Sequence, residues 1–142
     1  MIFIYDFLYQ EIPDHLTFPG IGFAFGFAIF YDKHWPLVVL AAAVGAGVFL
    51  IQYLVSRGEW IGAGDIRLGA FMGLVVGWPG IVAGLLGGYV LGAIVGILLL
   101  AGGKANMKSV LPFGTFLTVA TFVVMLWGEQ IINWYVKIVL GF

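Results

Sequence analysis

From Leu68 to Gly103 the sequence runs for 36 residues without a charged side chain. As one helix rising about 1.5 Å per residue, that stretch would far overshoot a hydrocarbon core of about 30 Å. It must turn. Trp78-Pro79-Gly80 is the natural break, because proline removes a backbone donor and clashes with the preceding turn. The reading is a short helix to about Gly77 and a second from about Ile81 to Gly102. The same counting gives spans at Leu16 to Phe30, Leu37 to Val55 and Phe113 to Trp127. The apolar stretch from Ile131 to Phe142 contains Lys137 and is too short to count firmly with them. The expectation is an all-α protein, a polytopic transmembrane helical bundle of five to six membrane segments, forming a single domain over residues 1–142.

Composition agrees and narrows the function. With 63% hydrophobic and 9% charged residues, the chain has too little polar surface to cover a soluble globule of its size. A net charge of −1 and the lack of any Lys/Arg cluster leave no field for nucleic acid. The absence of cysteine excludes disulfides, thiolate metal sites and cysteine nucleophiles. Asp6 and Glu11 interrupt the first apolar stretch and no basic segment precedes it, so the N-terminus does not read as a cleavable signal.

A carboxylate beside lipid-facing sequence is costly and invites a functional reading. Asp6 and Asp65 are separated by two spans, Leu16 to Phe30 and Leu37 to Val55, so both belong to one face. Two further spans bring Lys104 and Lys108 to that same face. It then carries Arg57, Arg67, Lys104 and Lys108, against Lys33 and Lys137 opposite, and the positive-inside rule assigns it to the cytoplasm. Trp35, Trp78 and Trp127 fall at predicted outer ends and Trp60 at the inner end, as interfacial aromatics do.

Gly69, Gly73 and Gly77 recur every fourth residue, and Gly80, Gly84, Gly88, Gly92 and Gly96 continue the spacing after the break. Such stripes let helices approach backbone to backbone. They also offer a surface through which two copies could form a homo-oligomer. Gly62 and Gly64 are different, because they precede a helix and flank Asp65. Missing side chains there leave room for another backbone, as a protease acting on a main-chain amide would need. Taken singly, each aspartate also reads as an interfacial cap: Asp65 as the N-cap of a helix at Ile66, Asp6 as a residue near a solvated terminus.

Three ordered motifs resemble a known family. Tyr5-Asp6 is followed by Ile12-Pro13-Asp14-His15-Leu16-Thr17-Phe18-Pro19, then Gly62-Ala63-Gly64-Asp65-Ile66-Arg67-Leu68 with Gly77-Trp78 beyond, then Pro112-Phe113-Gly114-Thr115-Phe116-Leu117. In this order they resemble the peptidase domain of type IV prepilin peptidases over nearly the whole chain. That resemblance implies a GxGD membrane aspartyl protease that removes the short basic leader of prepilins and pseudopilins at the cytoplasmic membrane surface. Carried over by motif, the catalytic aspartates fall on Asp6 and Asp65. Amide hydrolysis of this kind needs one carboxylate to take a proton from water and a neutral carboxylic acid to donate toward the carbonyl oxygen. Like charges held close do not both ionise readily, so the pair shares a proton and titrates as a unit.

Weaker assignments surround the pair. Pro13-Asp14 forces an extended turn into the Leu16 helix, with Asp14 or Thr17 as its cap. Glu11, Asp14 and Glu59 make the cytoplasmic mouth acidic, suited to a basic leader. Arg67 is expected to snorkel or to pair with a nearby acid. Pro112, Phe113 and Gly114 start the last span and frame the site. His15 and His34 lie on opposite predicted faces and do not form one metal site, and the reading assigns no cofactor or metal.

Departures from the family pattern carry their own expectations. Bacterial relatives have further helices and a cysteine-bearing cytoplasmic domain that accompanies N-methylation, so no methyltransferase activity is expected of this chain. Only Met1 to Tyr5 precede Asp6, where relatives supply a complete helix. Either the chain is a piece of a longer protein, or the Asp6 segment lies along the interface held by its neighbours. Thr115 stands where proline is frequent. Two other classes remain open: a GxGD intramembrane protease of the signal-peptide-peptidase kind, and a non-catalytic membrane assembly or transport component of the same fold.

Overall fold

A computed structural model describes residues 2–9, 11, 12, 14–31, 34–103 and 112–140. It contains the helices α1 (Ile2–Tyr9), α2 (Asp14–Tyr31), α3 (Trp35–Ser56), α4 (Ala63–Ala101) and α5 (Phe113–Leu140). Among the described residues, α3, α4 and α5 are long and apolar enough to cross a membrane. The expected Leu16 to Phe30 segment forms as α2, but Asp14 and His15 in its first turn and Pro19 inside it keep it below those three in apolarity. Pro13, Lys33, Lys104 and Lys108 lie outside the described residues.

The uncharged run of α4 turns where the proline requires it. Gly77 has φ 62° and ψ −168°, backbone open essentially to glycine alone, and Trp78 is extended at φ −96° and ψ 136°. Beyond this break the helix folds back on itself. Met72 from its first half packs against Gly84 in its second. Gly69 and Tyr89 both lie against Phe49, although a straight helix would hold them about 30 Å apart. The element α4 is therefore a helical hairpin.

Its glycines make this possible. Side chains at Gly69 and Gly73 would collide with the backbone of Gly45 and Ala41 in α3. On the returning half, Gly88 receives Leu117 while Gly92 lies beside Phe113 and Phe116 of α5. Thus the stripe positions from Gly69 to Gly92 are met by partners within the chain. Between the three long helices sits the core, with Ala41, Phe49, Met72, Ile81 and Leu117 fully buried.

Two further details place the site. A left-handed Arg57 (φ 54°) and Gly58 (φ 80°) end α3, and the Gly58 N–H donates to the Tyr53 carbonyl at 2.9 Å. The Trp60 N–H donates to Ser56 Oγ at 3.3 Å, so a short turn delivers Gly62 to the start of α4. At the other end, α5 bends at Trp127 (φ −129°, ψ 17°) and continues helically to Leu140. The Ile131 stretch is thus a continuation of α5 rather than a separate element, with Gly141 and Phe142 outside the described residues.

Candidate active site

Helix α1 is inverted with respect to polarity. Of its described side chains, Phe3 to Tyr9, Asp6 alone is buried, at 4% exposure, while its aromatic and aliphatic neighbours are exposed. What holds it is the N-terminus of α5. Asp6 Oδ2 accepts the Thr115 backbone N–H at 2.5 Å and the Thr115 hydroxyl at 2.8 Å. Amide groups in the first turn of a helix lack intrahelical partners, and the helix dipole favours an anion there. A residue of α1 therefore caps α5 from across the fold. Gly114 leaves space for the carboxylate, since a Cβ at that position would lie 3.1 Å from Asp6 Oδ2.

Asp65 is placed by a local device. Helix α4 starts at Ala63 with Gly62 as N-cap, so Asp65 sits within the first turn rather than as the N-cap of a helix at Ile66. From there Asp65 Oδ2 reaches back to accept the Gly62 N–H at 3.2 Å, one half of a capping box. The Asp65 N–H in turn donates to the Gly62 carbonyl at 3.1 Å. Asp65 is 8% exposed.

Both carboxylates line one cavity of about 570 Å³, whose wall also includes Tyr5, Glu11, Ile12, Trp60, Pro112 and Phe113. They are close enough for the Asp6 charge to act on the Asp65 carboxyl. The aromatic wall is anchored below: Phe113 packs edge-on to Phe49 at 6.0 Å and against Tyr89 at 5.1 Å between ring centroids. Tyr89 also receives a hydrogen bond from Gln52, which ties α3 to the returning half of α4.

The remaining sequence-derived residues divide. Arg67 lines the cavity, forms an ion pair with Asp14 and holds its guanidinium 5.4 Å over the Phe18 ring, joining α4 to α2. Glu11 and Asp14 line the cavity, whereas exposed Glu59 does not. The space at Gly64 is taken by Ile12, whose Cβ would stand 3.0 Å from a Cβ there. Gly62 is the open one, with nothing nearer than 3.9 Å. Room beside Asp65 is thus at Gly62. Among the described residues no group of three or more His, Asp or Glu could hold a metal ion.

The sequence marks Thr115 only as a departure from a frequent proline, whereas the structure makes it the partner of Asp6. The available signal was a hydroxyl three positions after Pro112, in the first turn of a helix expected to frame the site. Chemically, two buried carboxylates in one cavity can supply the base and the acid that amide hydrolysis requires.

The sequence profile of the type IV leader peptidase family matches residues 1–97. The chain is 35% identical to a prepilin leader peptidase/N-methyltransferase of Pseudomonas putida over 129 residues, covering 86% of this chain and 44% of that protein. It is 34% identical to one from Stutzerimonas stutzeri over 138 residues, covering 93% and 47%. For one from Legionella pneumophila the figures are 32% over 145 residues, with 96% and 49% covered. The chain thus spans just under half the length of these relatives. No solved structure matches it. Helix α5, with Gly114 and Thr115, lies beyond the matched profile.

Proposed function

Because the chain belongs to the type IV leader peptidase family, we propose that it is a membrane-embedded aspartyl endopeptidase. It cleaves the basic leader of type IV prepilins or pseudopilins at the cytoplasmic membrane face, with Asp6 and Asp65 as the catalytic dyad. The observation that carries this reading is that two buried carboxylates, one from α1 and one from α4, line the same cavity. One carboxylate takes a proton from water as its oxygen attacks the scissile carbonyl carbon. The other, protonated, donates toward the carbonyl oxygen, and the amine leaves with a proton as the C–N bond breaks. Glu11 at the cavity wall suits a basic leader, while Asp14 there is already paired with Arg67.

The membrane arrangement is part of the proposal. Helices α2 and α3, the two arms of the α4 hairpin and the first part of α5 make five membrane segments, and the α5 continuation is the candidate sixth. Arg57 ends α3 and Arg67 lines the cavity, which favours the cytoplasmic side for this end. The proposal covers leader hydrolysis alone and assigns no methyl transfer to these residues.

The test uses the purified protein with a prepilin that retains its leader, in detergent and in lipid. The parent is expected to release the leader, and Asp6→Asn and Asp65→Asn each to lose at least about a hundredfold in rate. An inactive parent, or either variant at full rate, would remove the dyad reading.

A further inference from the structure

Helix α5 contains three threonines near its start whose hydroxyls behave differently. Thr118 Oγ1 donates to the Thr115 carbonyl at 2.8 Å, and Thr121 Oγ1 donates to the Leu117 carbonyl at 2.7 Å. Both are the ordinary back-bonds of a threonine within its own helix. Thr115 instead turns its hydroxyl out of α5 to Asp6 Oδ2 at 2.8 Å, beside its own N–H at 2.5 Å. It is 5% exposed, so water does not compete freely for the contact. Gly114 provides the space in which the carboxylate lies. On α1 itself the side chains around Asp6 are exposed, and Tyr5 beside it lines the cavity.

We infer that Thr115 is a positioning residue for Asp6: its two donors fix Oδ2 against the N-terminus of α5 and commit Oδ1 to the reacting water. The inference rests on the proposed dyad. It goes further in naming what sets the orientation of one member and in giving α5 a part in the chemistry without a group that touches substrate. A carboxylate held at one oxygen presents the other at a fixed angle, and misplacement by about 1 Å can cost about a hundredfold in rate. Two donors on the same oxygen restrict its position more than either would alone.

The test compares Thr115→Val, which keeps shape and N–H but loses the hydroxyl, with Thr115→Ser, which keeps both donors. Cleavage of a leader-bearing prepilin by the full chain in lipid is followed as kcat and KM, with Asp6→Asn as the reference for an abolished base. The expected result is that Thr115→Val lowers kcat by about tenfold or more at unchanged KM, and that Thr115→Ser restores most of it. Thr115→Val at parental kcat, or Thr115→Ser as impaired as Thr115→Val, overturns the inference. A parallel double-mutant cycle of Thr115→Val and Asp6→Asn in thermal midpoint needs no activity. Non-additive losses are expected, and strictly additive ones overturn it. Should the parent not cleave, the peptidase reading fails, and this cycle still decides whether Thr115 holds Asp6.

Discussion

Gly45 of α3 and Gly69 of α4 meet backbone to backbone, so closely that a Cβ on Gly69 would lie 2.5 Å from the Gly45 carbonyl oxygen. Backbone cannot swing aside as a side-chain tip can. Gly69→Ala is therefore expected to part the helices and to cost about 1–3 kcal/mol of stability. Gly47→Ala, on the same helix as Gly45 but with nothing within 4 Å, should not lower the thermal midpoint, since alanine is the better helix former. Equal midpoints for the two variants in detergent would mean that this helix pair is not in contact.

Ile12 and Gly64 provide a test by rescue. A methyl at Gly64 would meet the Ile12 Cβ at 3.0 Å, pushing the α1–α2 connection away from the start of α4. Gly64→Ala should lower cleavage by about tenfold or more through displacement of the carboxylates. Trimming the obstacle in Gly64→Ala/Ile12→Ala should recover part of that loss. A double variant worse than Gly64→Ala alone would show that Ile12 is needed for more than its bulk.

The acidic mouth separates into two residues with different expectations. Glu11 lines the cavity, while Glu59 lies on the exposed turn after α3. Glu11→Gln should raise KM for a basic leader several-fold at low salt, with the difference shrinking as ionic strength increases. Glu59→Gln should shift KM little at any salt. Steady-state kinetics at two salt concentrations decide it, and equal responses would return Glu59 to the site.

Catalysis by the proposed pair requires one proton between two carboxyls. When both are protonated, no base remains to activate water; when both are ionised, no acid remains to serve the carbonyl oxygen. kcat/KM should therefore fall on both sides of a maximum. The low-pH limb marks the first loss of a proton from the pair, the high-pH limb the second. A profile of initial rate against pH checks this, and a rate that rises to a plateau without a high-pH fall would point to a single working carboxylate.

Much of this architecture was legible because few physical solutions exist. An uncharged run from Leu68 to Gly103 with Pro79 in it must break, and four-residue glycine spacing identifies backbones that approach closely. The pairing of Asp6 with Asp65 followed from counting segments, and the structure brings both to one cavity. Less legible was anything set by contact across the fold. Glycine at position 64 signals missing bulk without naming Ile12 as the group that needs it. Thr115 carries no local mark that its hydroxyl turns outward, since Thr118 and Thr121 have the same side chain and bond inward. Glu59 and Glu11 are alike in charge, yet Glu11 in the α1–α2 connection lines the cavity while Glu59 on the turn after α3 is exposed.

The carboxylate of Asp6 waits for a partner 109 positions further along the chain. During biosynthesis both aspartates leave the ribosome long before Thr115, and α4 can close its hairpin while α5 is still being made. A nascent chain at that stage holds the proposed reactive groups but no donor to orient the first of them. Capture of Asp6 then waits for α5 to enter the bundle, so this buried contact is among the last that the described helices can make as they emerge in order.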